Sequence, residues 1–275
     1  MITNSDIDNG APFDWGNATA DYAKYRDIYP EEFYQKIISL GLCVKGQRVL
    51  DLGTGTGVLP RNLYKYGASF IGADISENQI AQAKRLSAEA GMDIEYAIAS
   101  AENISFPEKS FDVITACQCF MYFDKAVALP KIHKTLKDGG HFCILFMAWL
   151  PEESPLARQS EELVLKYNPA WTGGGMKRYT KPNLPVWAQD LFTAENAETF
   201  DVDVPFTRES WHGRMKACRG IGASSLPSDA VAAFEREHIA YLNTQPEQFS
   251  IKHFVNILSL RKKSVSGQKQ AHLAI

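Results

Sequence analysis

The sequence lacks long apolar runs and an excess of basic residues. Its longest apolar run, residues 142–150, has nine residues, whereas a membrane-spanning helix needs about 20. Lys and Arg total 29 against 32 for Asp and Glu, which gives a net charge of −3. Proteins whose affinity for nucleic acid comes from phosphate contacts carry a basic surface instead. We therefore expect neither a membrane protein nor a nucleic-acid partner.

Secretory features are also missing. The first ten residues are polar and acidic, without the basic start and apolar stretch of a signal peptide. The five cysteines form no Cys-x-x-Cys pair, a pattern that favours reduced thiols in a chain of this size. A cytoplasmic location is therefore expected. The 275 residues, 45% of them hydrophobic, are enough for one large α/β domain.

Short β-rich runs alternate with helical segments from Arg48 onward. The runs cover residues 48–52, 69–74, 94–99, 111–117 and 141–149. This alternation predicts a parallel sheet with crossover helices, a doubly wound α/β fold. Before it, a leading amphipathic helix is predicted from Pro30, with Phe33, Ile37 and Leu40 on one face.

The helix after the second strand has marked ends. Ser76 and Gln79 have the spacing of a capping box, and Gly91 is placed to end the helix. This spacing puts Asp74 at the tip of the preceding strand.

The alternation stops after Trp149, where a region rich in Pro and Gly follows. We interpret it as an insertion. The remaining elements are predicted as a helix over 156–167, a strand over 198–206, helices around 207–219 and 228–242, and a strand over 248–260. The polar tail from Lys262 is expected to be mobile.

The strongest local feature is the run VLDLGTGTG at residues 49–57, in which a strand enters a glycine-rich turn. Glycines let the backbone approach a ligand at the carboxyl end of a strand, although a purely structural turn is the alternative. The dinucleotide fingerprint requires Gly-x-Gly-x-x-Gly, but here Val58 occupies its sixth position. Asp51 would repel a pyrophosphate and suits a ligand with ammonium and sulfonium charges.

These residues resemble the first motif of the class I S-adenosylmethionine-dependent methyltransferases. Asp74, the segments 99–107 and 109–114, and the turn 136–141 are similar to later motifs of the family in the same order, with Asp138 in place of a proline. The resemblance covers residues 48–148. It implies a Rossmann-like seven-stranded sheet, mostly parallel with an antiparallel last strand and helices on both faces. It also implies S-adenosylmethionine as methyl donor and S-adenosylhomocysteine as product.

The resemblance also implies a donor site. Asp51 and Gly53 would face the methionine ammonium, Cys117 would supply a backbone contact, and Asp74 would accept from the ribose hydroxyls. The full expected set is Tyr25, Arg26, Asp51, Gly53, Thr54, Gly55, Asp74, Ile75, Gln79, Ser100, Ala101, Glu102 and Cys117. Many relatives carry Asp at the position of Ser100, so the adenine contact is left open between Ala101, Glu102, Ile75 and Gln79.

The segment DYAKYRDIYP, residues 21–30, resembles one that closes over the donor in many relatives. Tyr22, Tyr25 and Arg26 would then cover the site, with Arg26 on the methionine carboxylate. The alternative is an aromatic helix face with a solvated arginine.

The acceptor side is less defined. All five tryptophans lie outside residues 43–148, which predicts either an aromatic pocket for an apolar or cationic small molecule or a cap that uses tryptophan for its own burial. Phe120, Tyr122 and Trp149 are expected as the pocket wall.

No catalytic base is predicted. Tyr122, His141 and His212 have suitable chemistry if the acceptor must lose a proton, but a lone histidine is more often structural.

Two further groups of residues have side chains suited to a binding site. Basic residues in 205–222 fit either a site for an acidic acceptor or a solvated helix face; they are Arg208, Arg214, Lys216 and Arg219. Cys117 and Cys119 share one side of a strand end, but without a second pair we predict no metal site.

Residues 1–262 are predicted as one methyltransferase domain. It comprises a cap and leading helix (1–42), a cofactor-binding core (43–148) and an acceptor-side insertion with two strands (149–262), followed by a flexible tail (263–275). The predicted reaction is methyl transfer to a small-molecule acceptor, mainly by positioning. The alternatives are an NAD-type oxidoreductase and a non-catalytic S-adenosylmethionine-binding protein.

Overall fold

A computed structural model describes residues 2–179 and 184–264. Its strands form one seven-stranded sheet in the order β3-β2-β1-β4-β5-β7-β6. The strands are β1 (Arg48–Leu52), β2 (Ser69–Asp74), β3 (Glu95–Ile98), β4 (Phe111–Cys117), β5 (Leu136–Trp149), β6 (Phe192–Thr207) and β7 (Gln248–Lys262).

The sheet is parallel from β3 to β5. Strand β7 lies between β5 and β6 and runs antiparallel to both, pairing Trp149 with His253 on one side and Phe206 with Phe249 on the other. The predicted doubly wound α/β fold with an antiparallel last strand is therefore confirmed.

Helices flank this sheet. They are α1 (Thr19–Tyr25), α2 (Glu31–Ser39), α3 (Val58–Leu63), α4 (Glu77–Glu89), α5 (Lys125–Thr135), α6 (Pro155–Tyr167), α7 (Arg208–Lys216) and α8 (Ser228–Leu242). The leading helix α2 begins one residue after Pro30, which is its N-cap, and it buries Phe33 and Ile37 completely.

Helix α4 makes only half of the predicted capping box. The Ser76 hydroxyl accepts from the Gln79 backbone N–H at 3.4 Å. The Gln79 side-chain amide donates instead to the Trp15 carbonyl at 3.2 Å. The reciprocal bond was wrongly predicted because a partner distant in the chain takes the glutamine.

Strand β6 begins at Phe192, earlier than the predicted residue 198. The long β7 pairs with the added positions down to Phe192 and Lys262, except at a β-bulge between Ala194 and Asn196. The sequence of these added residues is too polar to have predicted a strand, and the pairing with β7 decides it.

Two apolar cores cover the two faces of the sheet. The larger includes Phe33, Val49 and Trp211; the smaller includes Leu50 and Phe142. Within the described residues, no helix combines the length and apolar character needed to cross a bilayer. Pro182 and the predicted tail beyond residue 264 lie outside the described residues.

Candidate active site

A cavity of about 1140 Å³ opens at the carboxyl ends of the parallel strands. Its inner half contains the glycine turn after β1 and Asp74 at the end of β2. Its outer half is walled by aromatic residues after β4 and β5. Open α/β sheets bind ligands at this edge.

The glycine turn requires its glycines. Gly53 and Gly55 have φ angles of +63° and +57°, which non-glycine residues rarely adopt. A Cβ at Gly53 would also lie 2.7 Å from the Cys119 side chain. The backbone of Gly53 and Gly55 therefore forms the cavity wall directly, and a ligand can approach it closely.

Asp74 holds this turn and faces the cavity. Its Oδ2 accepts from the Gly55 backbone N–H and its Oδ1 from the Ser76 N–H, both at 2.9 Å. Burial raises the pKa of Asp74, and these backbone donors oppose the shift. Each oxygen keeps a lone pair, so the carboxylate can still accept from the hydroxyls of a ribose.

Asp51 does not line the cavity, against the sequence prediction. Its carboxylate is buried beneath the turn, where it accepts from the Thr115 hydroxyl on the neighbouring β4 at 2.6 Å. Burial raises the pKa of Asp51 to about 7. Strand β1 is a central strand, and the Asp51 carboxylate points toward β4. Its contact with the methionine ammonium stays a prediction.

Two other predicted donor-site residues are also displaced from the wall. Thr54 is buried, and its N–H donates to the Ala73 carbonyl. Tyr25 turns away, with its hydroxyl donating to Glu209 at 2.9 Å. Tyr22, three residues earlier on the same helix, lines the cavity instead.

Arg26 lines the cavity beside these aromatic rings. Its guanidinium lies 4.5 Å from the Tyr22 ring centre and 4.9 Å from that of Trp15. Among the described residues no carboxylate pairs with its guanidinium, which donates to the Ala217 carbonyl at 3.5 Å. The arginine is therefore held by aromatic faces and is available to an anion.

Most of the remaining predicted donor residues line the cavity too. They are Gly53, Gly55, Asp74, Ile75, Gln79, Ser100, Ala101, Glu102 and Cys117. Glu102 accepts from the Asp124 N–H at 2.8 Å. The side-chain oxygen of Gln79 is buried without a hydrogen-bond partner among the described residues, so it can accept from a ligand.

The two cysteines near the turn have separate partners. The Cys117 thiol points to the Tyr29 hydroxyl at 3.5 Å, and the Cys119 thiol donates to the Leu52 carbonyl at 3.0 Å. Burial raises the pKa of Cys117 to about 12, so the thiol is neutral. Within residues 2–179 and 184–264, no three His, Cys, Asp or Glu side chains group as a metal site.

The outer half of the cavity is aromatic. Phe120, Tyr122 and Trp149, the predicted pocket wall, all line it, as do Trp171 and Trp187, whereas Trp15 lines the cavity beside Tyr22 and Arg26. The fifth, Trp211, is wholly buried in the larger core. Trp149 and Trp171 are themselves buried in the larger core while they line the cavity, so the tryptophans serve burial of the cap, and an acceptor pocket among them stays a prediction.

Comparisons with known proteins agree with this arrangement. The family described as "Methyltransferase domain" matches residues 50–144. The ubiquinone biosynthesis O-methyltransferase of Bradyrhizobium diazoefficiens is 30% identical over 187 residues, which cover 68% of this chain and 73% of the relative. The enzyme of the same name from Pseudomonas entomophila is 28% identical over 181 residues, covering 64% and 75%.

This chain belongs to the class I S-adenosylmethionine-dependent methyltransferases. The comparisons support methyl transfer over the oxidoreductase and the non-catalytic alternative. Solved structures share the methyltransferase fold. The YcgJ protein of Bacillus subtilis has a TM-score of 0.53 at 20% identity, covering 86% of this chain and all of that one. The BH2331 protein of Bacillus halodurans has a TM-score of 0.52 at 17% identity, covering 84% and 98%.

The methyltransferase keeps its two candidate histidines out of the cavity. His141 pairs with Glu195 at 2.5 Å, and His212 bonds to His238 at 3.0 Å. Tyr122, the third candidate base, does line the cavity, and its hydroxyl accepts from Arg219 at 3.1 Å.

The basic run at 205–222 does not form one surface. Arg208 bonds to the Gln245 carbonyl, and Lys216 pairs with Asp21 and Glu235. Arg214 and Arg219 instead line the cavity. The sequence pattern identified the basic run but could not tell which of its members turn inward.

Proposed function

We propose that this methyltransferase binds S-adenosylmethionine in the inner half of the cavity and methylates a hydroxyl oxygen of a small apolar molecule in the outer half. The observation that carries the proposal is the continuity of one cavity from Gly55 and Asp74 to Tyr122 and Trp149. Donor and acceptor can then meet inside it without crossing bulk water.

The residues of the inner half fit this donor. Asp74 accepts from the ribose hydroxyls, the backbone of Gly53 and Gly55 follows the methionine portion, and Arg26 pairs with its carboxylate. Asp51, whose pKa is raised to about 7, adds negative charge beneath the turn above that pH. When bound, S-adenosylmethionine supplies a methyl group activated by a sulfonium.

The chain's own contribution is alignment and exclusion of water. Tyr22 and Trp15, which meet edge to face at 5.7 Å, cover the donor end. Phe120 and Trp149 close the wall on the acceptor side. With both histidines outside the cavity, Tyr122 is the one predicted base candidate that can touch an acceptor, and the reaction does not require one when the acceptor hydroxyl is already acidic.

Oxygen as the accepting atom is supported by the relatives, which are named O-methyltransferases. The cavity volume and its aromatic wall suit a small molecule. We extend the proposal to one domain over residues 1–262 in the cytoplasm. The five cysteines are free thiols, as in proteins of reducing compartments.

Calorimetry with purified protein tests the donor. We expect binding of S-adenosylmethionine and S-adenosylhomocysteine and weaker binding of NAD. A library of phenols and alcohols, screened by mass spectrometry for addition of one methyl group, then tests transfer. Tighter binding of NAD would overturn the proposal. Donor binding without any transfer would favour the non-catalytic alternative.

A further inference from the structure

Arg214 is a buried arginine that has no anionic partner among residues 2–179 and 184–264. Its side chain lies on helix α7 and lines the cavity, and the residue is 7% exposed. Its guanidinium carbon lies 4.8 Å from the Trp149 ring centre. The Nη1 atom has no hydrogen-bond partner within the described part of the chain. A buried guanidinium is normally paired, because an isolated charge is costly to remove from water.

Four carboxylates line the cavity, and within the described residues none of them forms an ion pair with Arg214. Asp74, Glu102 and Asp124 accept from backbone N–H groups, and Asp6 is exposed. Asp8 pairs with Arg219 at 2.6 Å. Burial lowers the pKa of Arg214, and the charge of Arg26 lowers it further. Arg214 therefore carries excess positive charge that no carboxylate of the described residues compensates.

The methyl donor does not remove this excess. Its single carboxylate is assigned to Arg26 in the proposed function, and its ammonium and sulfonium add positive charge. A second anion beside Arg214 would compensate the guanidinium and would also oppose the sulfonium charge. The Arg214 guanidinium lies over the Trp149 ring, and this ring offers an apolar surface to the rest of the molecule that carries the anion.

We infer that Arg214 binds an oxyanion of the methyl acceptor, so that the acceptor is an apolar or aromatic molecule carrying a carboxylate or a phosphate. This deepens the proposed function and rests on it. Arg214 is then a specificity-determining residue: it pairs with the acceptor's anionic group while the hydroxyl to be methylated reaches toward the donor.

Three binding probes test the inference on protein saturated with S-adenosylhomocysteine, so that the donor site is already filled. The probes are phenylacetate, phenyl phosphate and neutral phenylacetamide, titrated by calorimetry. We expect at least one anion to bind about tenfold or more tightly than the amide, as for a hydrogen bond between charged groups. The anion that binds more tightly shows whether the site prefers a carboxylate or a phosphate. Equal affinity for all three probes in the wild-type protein would overturn the inference.

Variants locate the effect. Arg214→Gln should abolish the preference for the anion while leaving amide binding unchanged, and Arg214→Lys should retain part of it. Lys216→Gln, on the same helix but paired with Asp21 and Glu235, is the control and should behave as wild type.

The donor titration separates this inference from the proposed function. Binding of S-adenosylhomocysteine alone tests the donor site, whereas anion preference tests Arg214. If Arg214→Gln weakens S-adenosylhomocysteine as much as it weakens the anion, Arg214 belongs to the donor site and the inference is wrong.

Discussion

Gly213 of helix α7 lies directly against the ring of Tyr25 in helix α1. A Cβ built at Gly213 would be 2.2 Å from Cδ2 of that ring, far inside van der Waals contact. Tyr25 is fixed there by its hydrogen bond to Glu209, also on α7. This close approach brings two helices that are distant in the chain together, and Arg26 after α1 and Arg214 on α7 both line the cavity.

Gly213→Ala is therefore expected to destabilise the protein. Overpacking costs about 1–3 kcal/mol, against a gain of up to about 1 kcal/mol from helix propensity, so the free energy of unfolding should fall. In a Tyr25→Ala background the collision is absent, and the same change should be neutral or stabilising. Urea denaturation of the four proteins measures this. Equal losses in both backgrounds would contradict the contact.

Asp74→Ala should weaken donor binding. The loss of a carboxylate that accepts from ribose hydroxyls and from the Gly55 N–H is expected to cost about 1–3 kcal/mol of binding free energy. Calorimetry with S-adenosylmethionine measures it. Glu77→Ala, three residues away on an exposed site, is the matched control and should keep wild-type affinity. An unchanged affinity in Asp74→Ala would place the ribose elsewhere.

Asp51 should make stability depend on pH. Its pKa is raised from 3.8 in the unfolded chain to about 7 in the fold. Between these values the unfolded chain is ionised and the folded protein stays protonated, so the contribution of Asp51 to the free energy of unfolding falls as pH rises from about 4 to 7 and is constant above.

Asp51→Asn removes this dependence and can still accept from Thr115. Relative to wild type, the variant should become more stable as pH rises, by up to about 4 kcal/mol between pH 4 and pH 8. Urea denaturation at the two pH values checks it. A stability difference that does not change with pH would mean that Asp51 titrates normally. The variant should also bind S-adenosylmethionine more weakly at pH 8, where wild-type Asp51 is charged.

Asp8 and Arg219 form an ion pair that anchors the amino-terminal segment over the cavity. Asp8 is buried, and it also accepts from the Thr172 N–H at 2.7 Å. Asp8→Asn leaves Arg219 largely buried without its counter-charge, which should cost about 3 kcal/mol of stability. Because Ile2 and Ile7 line the cavity, the KM for the acceptor should rise as well.

The control for this pair is Asp6→Asn, an exposed carboxylate in the same segment, expected to change stability by no more than about 0.5 kcal/mol. Thermal and urea denaturation compare the two variants. A similar small effect in both would show that the ion pair does not anchor the segment.

The Tyr122→Phe variant tests whether Tyr122 only contacts the acceptor or also acts as a general base. If Tyr122 only contacts the acceptor, kcat should fall less than about tenfold and the pH profile should keep its shape, whereas a general base contributes about 10²–10⁴-fold. Steady-state kinetics from pH 6 to 10 with the first acceptor found in the screen decides it. A large loss together with disappearance of the rise in rate with pH that a titrating base produces would make Tyr122 the base.

The sequence was sufficient for the sheet and its donor edge. Buried strands followed by helical periodicity determine a parallel α/β order, and glycines with positive φ determine the turn after β1. Asp74 was found for the same reason: the end of a strand before a capped helix lies at the ligand-binding edge whatever surrounds it.

Orientation within those elements was decided by tertiary structure. Asp51 lies two residues before Gly53, yet its carboxylate lies beneath the turn, where it accepts a hydrogen bond from Thr115 on β4. Tyr22 and Tyr25 lie three residues apart on one helix, so the sequence does not tell which of them faces the cavity. The close approach of Gly213 leaves room for the Tyr25 ring outside the cavity.

The orientation of Arg214 was also decided by tertiary structure. In the sequence it is one of four basic residues on a polar stretch, for which an exposed charged helix face is the commoner explanation. Local patterns give the spacing of side chains along a helix, but the direction of each face depends on which surfaces pack against it. For α7 those surfaces are α1 and Trp149, and they turn a charged residue into the cavity.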